Sequence, residues 1–336
     1  MKSYIKAISY YLPPKTYTNE NYYTEFSEVE INGRLDKIGV NERHIVANNI
    51  TASDIGIKAA EILFKDYSIN PKSIDFIIFC ALEFDYIFPA SSIIIHQKLN
   101  LPPNCGTMDL AVGCSGYPYA LSIAKGLIES SGFKNILIIT SSTITKNIHP
   151  KDKGSRYIFG DGSAASLISC RNKNDGIGQF IFGSDSNLHK SIIIKDGGAR
   201  NPLTSSSYND FNDNQGGITN HAHLNMDGYA VFNFGIKVVP NMIDDLLLKS
   251  NLTKEDIDVF IFHQANVFLI ESICKKSDIP IGKVFNYMEK VGNTVSASIP
   301  IALCEAQKQG KAKTGSKVLL AAFGVGLSWS STIIEL

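Results

Sequence analysis

Residues Ile62–Ala81 read ILFKDYSINPKSIDFIIFCA, and residues Asp245–Gln264 read DLLLKSNLTKEDIDVFIFHQ. Leu63, Ile69 and the pair Ile74-Asp75 of the first stretch recur 183 positions later as Leu246, Leu252 and Ile257-Asp258. Each stretch carries the end of an amphipathic helix, a polar turn and a short run of Ile, Val and Phe suited to a buried strand. Further along, Ala120-Leu121 and Ile136-Leu137 recur as Ala302-Leu303 and Val318-Leu319, now 182 positions apart. Segments kept in register across nearly half the chain imply a duplicated unit. Helical periodicity marks Ser53–Lys65, Tyr119–Ser130, Val239–Lys249 and Ile299–Gln309. Runs such as Ile136–Thr140 are too uniformly apolar for strands with one wet face, which predicts sheets covered by helices on both sides. The expected class is α/β, with two halves, 1–175 and 176–336, packed layer on layer.

Composition narrows the function. With 44% hydrophobic and 19% charged residues over 336 positions, the chain can bury full cores, which excludes disorder as an explanation for its polar stretches. Lys plus Arg and Asp plus Glu are both 32, so no net basic field draws the protein to nucleic acid or a membrane surface. The six cysteines, Cys80, Cys105, Cys114, Cys170, Cys274 and Cys304, form no CxxC pair and no Cys/His cluster with zinc spacing. Neither a metal site nor a disulfide framework is expected. The start, Met1-Lys-Ser-Tyr-Ile-Lys-Ala, has no apolar signal core, and no run approaches the roughly 20 apolar residues of a membrane span, so a cytoplasmic location is expected.

Three residues stand where strands meet turns. Cys114, in Asp109-Leu-Ala-Val-Gly-Cys-Ser-Gly-Tyr117, follows a strand-like run and precedes a helix. The positive end of a helix dipole lowers a thiol's pKa, so Cys114 is expected to be a nucleophile with thiolate available near neutral pH. His263-Gln-Ala-Asn266 closes the run Ile257–Phe262, and Gly292-Asn-Thr294 opens a small-residue turn before another helix. Cysteine, histidine and asparagine together suit thiol acyl chemistry. A papain-like hydrolase uses the same trio, but its local cysteine signature is absent and its architecture is not duplicated. Gly160-Asp161-Gly162 lacks the P-loop lysine and the GxGxxG spacing, so it reads as a turn between strands. Glu83 and Asp85 read as solvated loop carboxylates, and the polar segment Asp196–His223 reads as a long loop.

Five segments in order resemble the ketoacyl synthase III branch of the thiolase superfamily: Asp109–Tyr117, Phe159–Ala165, His263–Asn266, Gly292–Thr294 and Phe323–Trp329. The resemblance runs from Ile5 to Leu336 and implies a five-layered αβαβα fold. It further implies that Cys114 takes an acyl group from a thioester, and that His263 and Asn293 bind the carbonyl oxygen of a malonyl-type thioester. That thioester loses CO2 and condenses with the acyl group, in fatty-acid or specialised acyl and polyketide biosynthesis. By the same resemblance the backbone N–H groups of Cys114 and Val325 hold the oxyanion, Phe88 crosses a homodimer interface to the partner's acyl pocket, and Lys275-Lys276 receive an acyl carrier protein. No cofactor is implied, acyl-ACP, acyl-CoA and malonyl-ACP being substrates. A second expectation is acyl transfer from Cys114 to a hydroxyl or amine.

The chain departs from the family's pattern around the donor. No tryptophan occurs in Asn32–Lys37, where relatives stack one on adenine, and Lys37 and Lys153 stand where arginines face the nucleotide. Lysine lacks the planar fork that stacks and binds in two-pronged fashion. After His263–Asn266 the chain continues Val267-Phe268 instead of Leu-Arg, and Val325 interrupts a glycine triplet. A carrier-bound acyl donor is therefore expected to be preferred to coenzyme A.

Overall fold

The two offsets of the sequence return as strand register. In the computed structural model, which describes residues 2–23, 35, 37–172, 175–213 and 216–336, β2 (Phe76–Cys80) runs parallel to β4 (Asn135–Ser142) with Phe76 beside Ile136. In the other half β7 (Val259–Phe262) runs parallel to β8 (Lys317–Gly324) with Val259 beside Val318. Moving Phe76 by 183 and Ile136 by 182 gives that second pair. Antiparallel neighbours follow in both halves: β5 (Gly162–Arg171) then β1 (Lys2–Tyr11) in the first, β9 (Ser328–Glu335) then β6 (Ile177–Ser184) in the second. The sheets are thus ordered β1-β5-β4-β2-β3 and β6-β9-β8-β7. The extra strand, β3 (Gly106–Leu110), pairs with β2 over five residues, whereas its counterpart in the second half is a single parallel bridge between Phe260 and Val284.

Alternation along these strands builds the layers. Ile78, Ile136 and Ile138 of the first sheet and Val259, Ile261 and Leu320 of the second point into one core, filled by α3 (Gly116–Ser131) and α6 (Ser298–Lys308). Their strand neighbours point outward: Ile77, Phe79 and Leu137 meet α1 (Ala52–Asp66) and α2 (Ser91–Lys98). Phe260, Phe262 and Leu319 meet α4 (Gly228–Ser250) and α5 (Val267–Lys276). The result is the expected five-layered αβαβα stack, with each sheet buried on both faces. Leu121 and Leu303, at equivalent places on the two central helices, are both fully buried; truncating either to alanine would cost about 2–5 kcal/mol.

Two local expectations are corrected. The helix expected over Val239–Lys249 begins eleven residues earlier, at Gly228, where Asp227 caps it through Ala230 N–H at 3.0 Å, and it carries Pro240 inside. Packing of Phe234 and Val239 into the outer core holds it helical despite the proline. The segment Asp196–His223 is not merely loop, for Phe211–Asn212 pairs antiparallel with Ile218–Thr219. Among the described residues no helix is long and apolar enough to cross a membrane.

Candidate active site

Cys114 lies two residues ahead of α3, whose capping residue Ser115 makes no side-chain hydrogen bond to the helix start. In the first turn Gly116 N–H is taken by Gly113 O at 2.8 Å and Pro118 has no N–H to offer. From the second half, Gly324 at the end of β8 comes so near that a Cβ there would sit 2.5 Å from Cys114 Cβ and 2.7 Å from Sγ. Its φ of +151 also suits glycine alone. This enclosure overturns the expectation of a resting thiolate. Burial pushes the Cys114 thiol up to about 11, and hydrogen bonds from the backbone of Val325 and of Cys114 itself offset only part of that rise. Loss of water is the largest influence on this thiol.

His263 follows β7, its own N–H held by Ala321 O at 2.8 Å. The imidazole is 2% exposed, and burial holds it far below the ordinary histidine value, at about 3, so it is neutral. Its Nδ1 lies 2.8 Å from Ser298 Oγ, the first residue of α6, and that oxygen accepts from Gln264 N–H at 3.4 Å. The Ser298 hydroxyl can accept from Gln264 N–H and still donate to Nδ1, and in that arrangement the ring proton sits on Nε2. Asn293 is fixed as tightly. Its N–H donates to Ile158 O at 2.8 Å, and its Oδ1 accepts from Val295 N–H at 2.9 Å, which turns Nδ2 toward His263. That loop is strained at Val295, a β-branched residue held at φ 52. His263 Nε2 and Asn293 Nδ2 stand 3.4 Å apart. In the tautomer with the proton on Nε2, each of these two nitrogens carries an N–H.

Cys114, His263 and Asn293 line a single cavity of about 410 Å3. Lys37 and Lys153 line it as well, at its outer part with Phe232 and Phe268, whose rings stack 5.3 Å apart. A second cavity of about 230 Å3 lies against Cys114 and is lined by Leu82, Ile144, Leu224, Val295 and Val325, with Glu83 among them. Cys114, Phe159 and Ile192 line both spaces and so form the partition between them.

Other sequence-derived residues fall elsewhere. Phe88 is 83% exposed and Ile87 99%, in an apolar projection with Tyr86 that touches neither cavity of its own chain. Lys275 and Lys276 are exposed at the far end of α5, whose opening residues Phe268 and Leu269 line the first cavity; ten residues of helix span about 15 Å. Of the tryptophan-less stretch, Asn32–Arg34 and Asp36 lie outside the described residues. Glu83 was expected in solvent, yet its Oε2 is sealed from water. The sequence reading also missed Ser298, although its place 182 positions after Gly116 was available from the duplication. Among the described residues no group of three or more His, Cys, Asp or Glu could hold a metal ion.

A family model described as 3-oxoacyl-[acyl-carrier-protein (ACP)] synthase III matches residues 108–186, and the model of its C-terminal part matches residues 247–336. The chain is 33% identical to the beta-ketoacyl-[acyl-carrier-protein] synthase III of Caldanaerobacter subterraneus subsp. tengcongensis, covering 97% of this chain and 95% of the relative. It is 33% identical to the Coxiella burnetii protein of the same name, covering 90% and 89%. Among solved structures, a 3-oxoacyl-(acyl-carrier-protein) synthase III at 35% identity superposes with a TM-score of 0.98 over the whole of both chains. The priming beta-ketosynthase of the R1128 polyketide pathway, at 26% identity, gives 0.86 and covers 100% and 98%.

Proposed function

This chain belongs to the 3-oxoacyl-[acyl-carrier-protein] synthase III family of thiolase-fold acyltransferases, and from that premise we propose the following division of labour for its residues. Cys114 is the acyl acceptor. Its sulfur attacks a thioester carbonyl, the carbonyl oxygen is held by the N–H groups of Cys114 and Val325, and the departing sulfur takes up the thiol proton. Since the thiol rests protonated, deprotonation accompanies attack. The acyl chain then occupies the apolar second cavity, which frees the first for a malonyl-type thioester. As that molecule loses CO2, His263 Nε2–H and Asn293 Nδ2–H donate to the enolate oxygen, an effect worth about 3–4 kcal/mol per donor. The carbanion attacks the acyl-Cys114 carbonyl, and collapse expels the thiolate, which regains a proton, leaving a 3-oxoacyl thioester.

The observation that carries this reading is that His263 Nε2 and Asn293 Nδ2 lie 3.4 Å apart in residues that line the same cavity as Cys114. Transfer of the acyl group to a hydroxyl or amine, the second expectation, would not need such a pair and is not favoured by the family. The chain divides functionally at 175/176, where it leaves the first sheet after β5 for the second at β6. The projection of Ile87 and Phe88 fits a homodimer in which Phe88 closes the partner's acyl cavity. Lys275 and Lys276 fit the docking of an acidic acyl carrier protein, with Lys37 and Lys153 toward the donor's phosphates.

Intact-mass analysis after incubation with matched acyl-carrier and acyl-coenzyme A thioesters tests this. One acyl group should add to the wild type and none to Cys114→Ala. The carrier thioester should load faster, and Lys275→Glu/Lys276→Glu should slow that route alone. Acylation of Cys114→Ala at the same rate would remove the nucleophile assignment.

A further inference from the structure

Residues Val325–Leu327 form the turn between β8 and β9, and the proposed acylation uses the Val325 N–H of that turn. Ser328 grips the turn from two directions. Its backbone pairs with Gly324 across the hairpin, and its Oγ donates to Val325 O at 3.2 Å. The chain on each side of Val325 is therefore tied to one residue. Gly326 keeps the space clear, since a Cβ there would lie 3.1 Å from Ser328 Oγ, and its φ of +144 suits glycine alone. The same hydroxyl reaches the first half of the molecule, where Ser115 follows the nucleophile directly. Ser328 Oγ and Ser115 Oγ are 2.8 Å apart. A serine just before a helix ordinarily turns its oxygen to the first N–H groups. Ser115 is fully buried and makes no such bond, and its hydroxyl meets Ser328 instead. When Ser328 gives its one proton to Val325 O, its oxygen is left to accept from Ser115, so that one chain of hydrogen bonds runs from Ser115 through Ser328 to Val325.

We propose that Ser328, linked through Ser115 to the nucleophile segment, is a positioning residue for acylation, holding the Val325 N–H in register with the Cys114 N–H. The inference rests on the proposed oxyanion site and deepens it by naming what fixes its two donors. Those donors come from different halves, and they stabilise an oxyanion only when both stand about 2.7–3.1 Å from the place the oxygen will occupy. The Ser115–Ser328 bond crosses between the halves one residue away from Cys114. Val325 is also seated against the nucleophile segment, for a Cβ on Gly113 would lie 2.4 Å from Val325 Cγ1. His263 and Asn293 are held by other groups, Ser298, Ile158 and Val295. A fault in the turn should therefore be felt in acyl loading and not in decarboxylation.

Two steps are measured apart: single-turnover loading of Cys114 from acetyl and butyryl groups on one carrier protein, by intact mass, and CO2 release from a labelled malonyl thioester by enzyme already loaded to completion. Ser328→Ala should slow loading about tenfold, short of the roughly 10²–10³-fold lost with a whole donor, and should leave CO2 release within about twofold of the wild type. Ser328→Thr, which keeps the hydroxyl, should recover most of the loading rate. Ser115→Ala should also slow loading selectively, and the double variant should load no more slowly than Ser328→Ala, because the two hydroxyls act in one chain. Should Ser328→Ala not fold, the ratio of the two steps in Ser115→Ala decides. Loading at the wild-type rate, equal slowing of both steps, or no recovery in Ser328→Thr overturns the role of Ser328 while leaving the nucleophile in place. Failure of either acyl group to load the wild type overturns both this inference and the acyl-enzyme on which it rests.

Discussion

The two halves put different residues into the same slots. By the sequence offsets, His263 of the second half corresponds to Cys80 of the first, and Ser298 corresponds to Gly116. In the second half the hydroxyl of Ser298 meets His263 Nδ1 at 2.8 Å and holds the ring to which we assign a donor role. In the first half a Cβ on Gly116 would lie 2.4 Å from Cys80 Sγ, so glycine is required, and the thiol merely donates to Val112 O at 3.2 Å. A second pair inverts the roles. Cys114 corresponds to Ser296, whose hydroxyl lies 3.1 Å from Cys80 O and 3.3 Å from Ser141 O and fastens the second half onto the strand ends of the first. Against Cys114 the opposite half sets Gly324, which brings no side chain, beside Val295 and Val325. One scaffold therefore offers paired positions at strand ends and helix starts, and each position serves either as a fastening or as a reactive group, according to what its neighbour leaves open.

The strongest test of this contrast is pH dependence. With its folded pKa raised to about 11, Cys114 should be mostly neutral thiol at pH 7, and thiolate should grow with pH up to that value. Its alkylation by iodoacetamide in the resting protein should rise about tenfold per pH unit between pH 7 and 10. Peptide mapping should show Cys80, pushed up to about 12 and fully buried, staying unmodified over that range. A plateau for Cys114 near neutrality would restore the resting thiolate.

Next come the donors. His263→Ala and Asn293→Ala should each load Cys114 normally and lose decarboxylation by roughly 10²–10³-fold. Cys80→Ala, in the slot equivalent to His263, should change neither step by more than about twofold while costing on the order of 1 kcal/mol of stability. Release of CO2 from a labelled malonyl thioester, read against intact-mass loading, separates the steps. A comparable loss in Cys80→Ala would erase the distinction between the slots.

The smallest effect is expected at the residues that position these groups. Ser298→Ala should retain loading and slow decarboxylation about tenfold by freeing the His263 tautomer, with recovery in Ser298→Thr. Gly116→Ser, which copies the second half into the first, should instead destabilise the fold by about 1–3 kcal/mol through overpacking against Cys80. Thermal unfolding and single-turnover decarboxylation distinguish the two outcomes.

The register of both sheets could be read from the sequence because apolar strands repeat with fixed spacing, and Phe76 beside Ile136 simply recurs as Val259 beside Val318. The starts of α3 and α6 were legible within a few residues for the same reason. Protonation of Cys114 was not. It depends on Gly324 closing over the thiol from the other half, a fact of tertiary enclosure that the local stretch Val112–Ser115 does not record. Glu83 misled in the same way, since Leu82-Glu83-Phe84-Asp85 looks like a surface turn until Ser142 and Asp161 are brought against it. Helix α4 was read short because Pro240 argues locally for a boundary, and only the packing of Phe234 and Val239 argues against one.

The wall shared by the two cavities, made by Cys114, Phe159 and Ile192, sets a rule of traffic for the proposed reaction. An acyl group short enough for the rear space leaves the entrance vacant, and the next substrate can come in. One too long for about 230 Å3 would still react with the sulfur, yet its tail would stay in the entrance and bar its successor. Such a molecule would be accepted and never released. Fidelity toward long chains would then be enforced after the covalent bond has formed, by obstruction rather than by refusal to bind, and overlong thioesters would act as mechanism-based inactivators of their own enzyme.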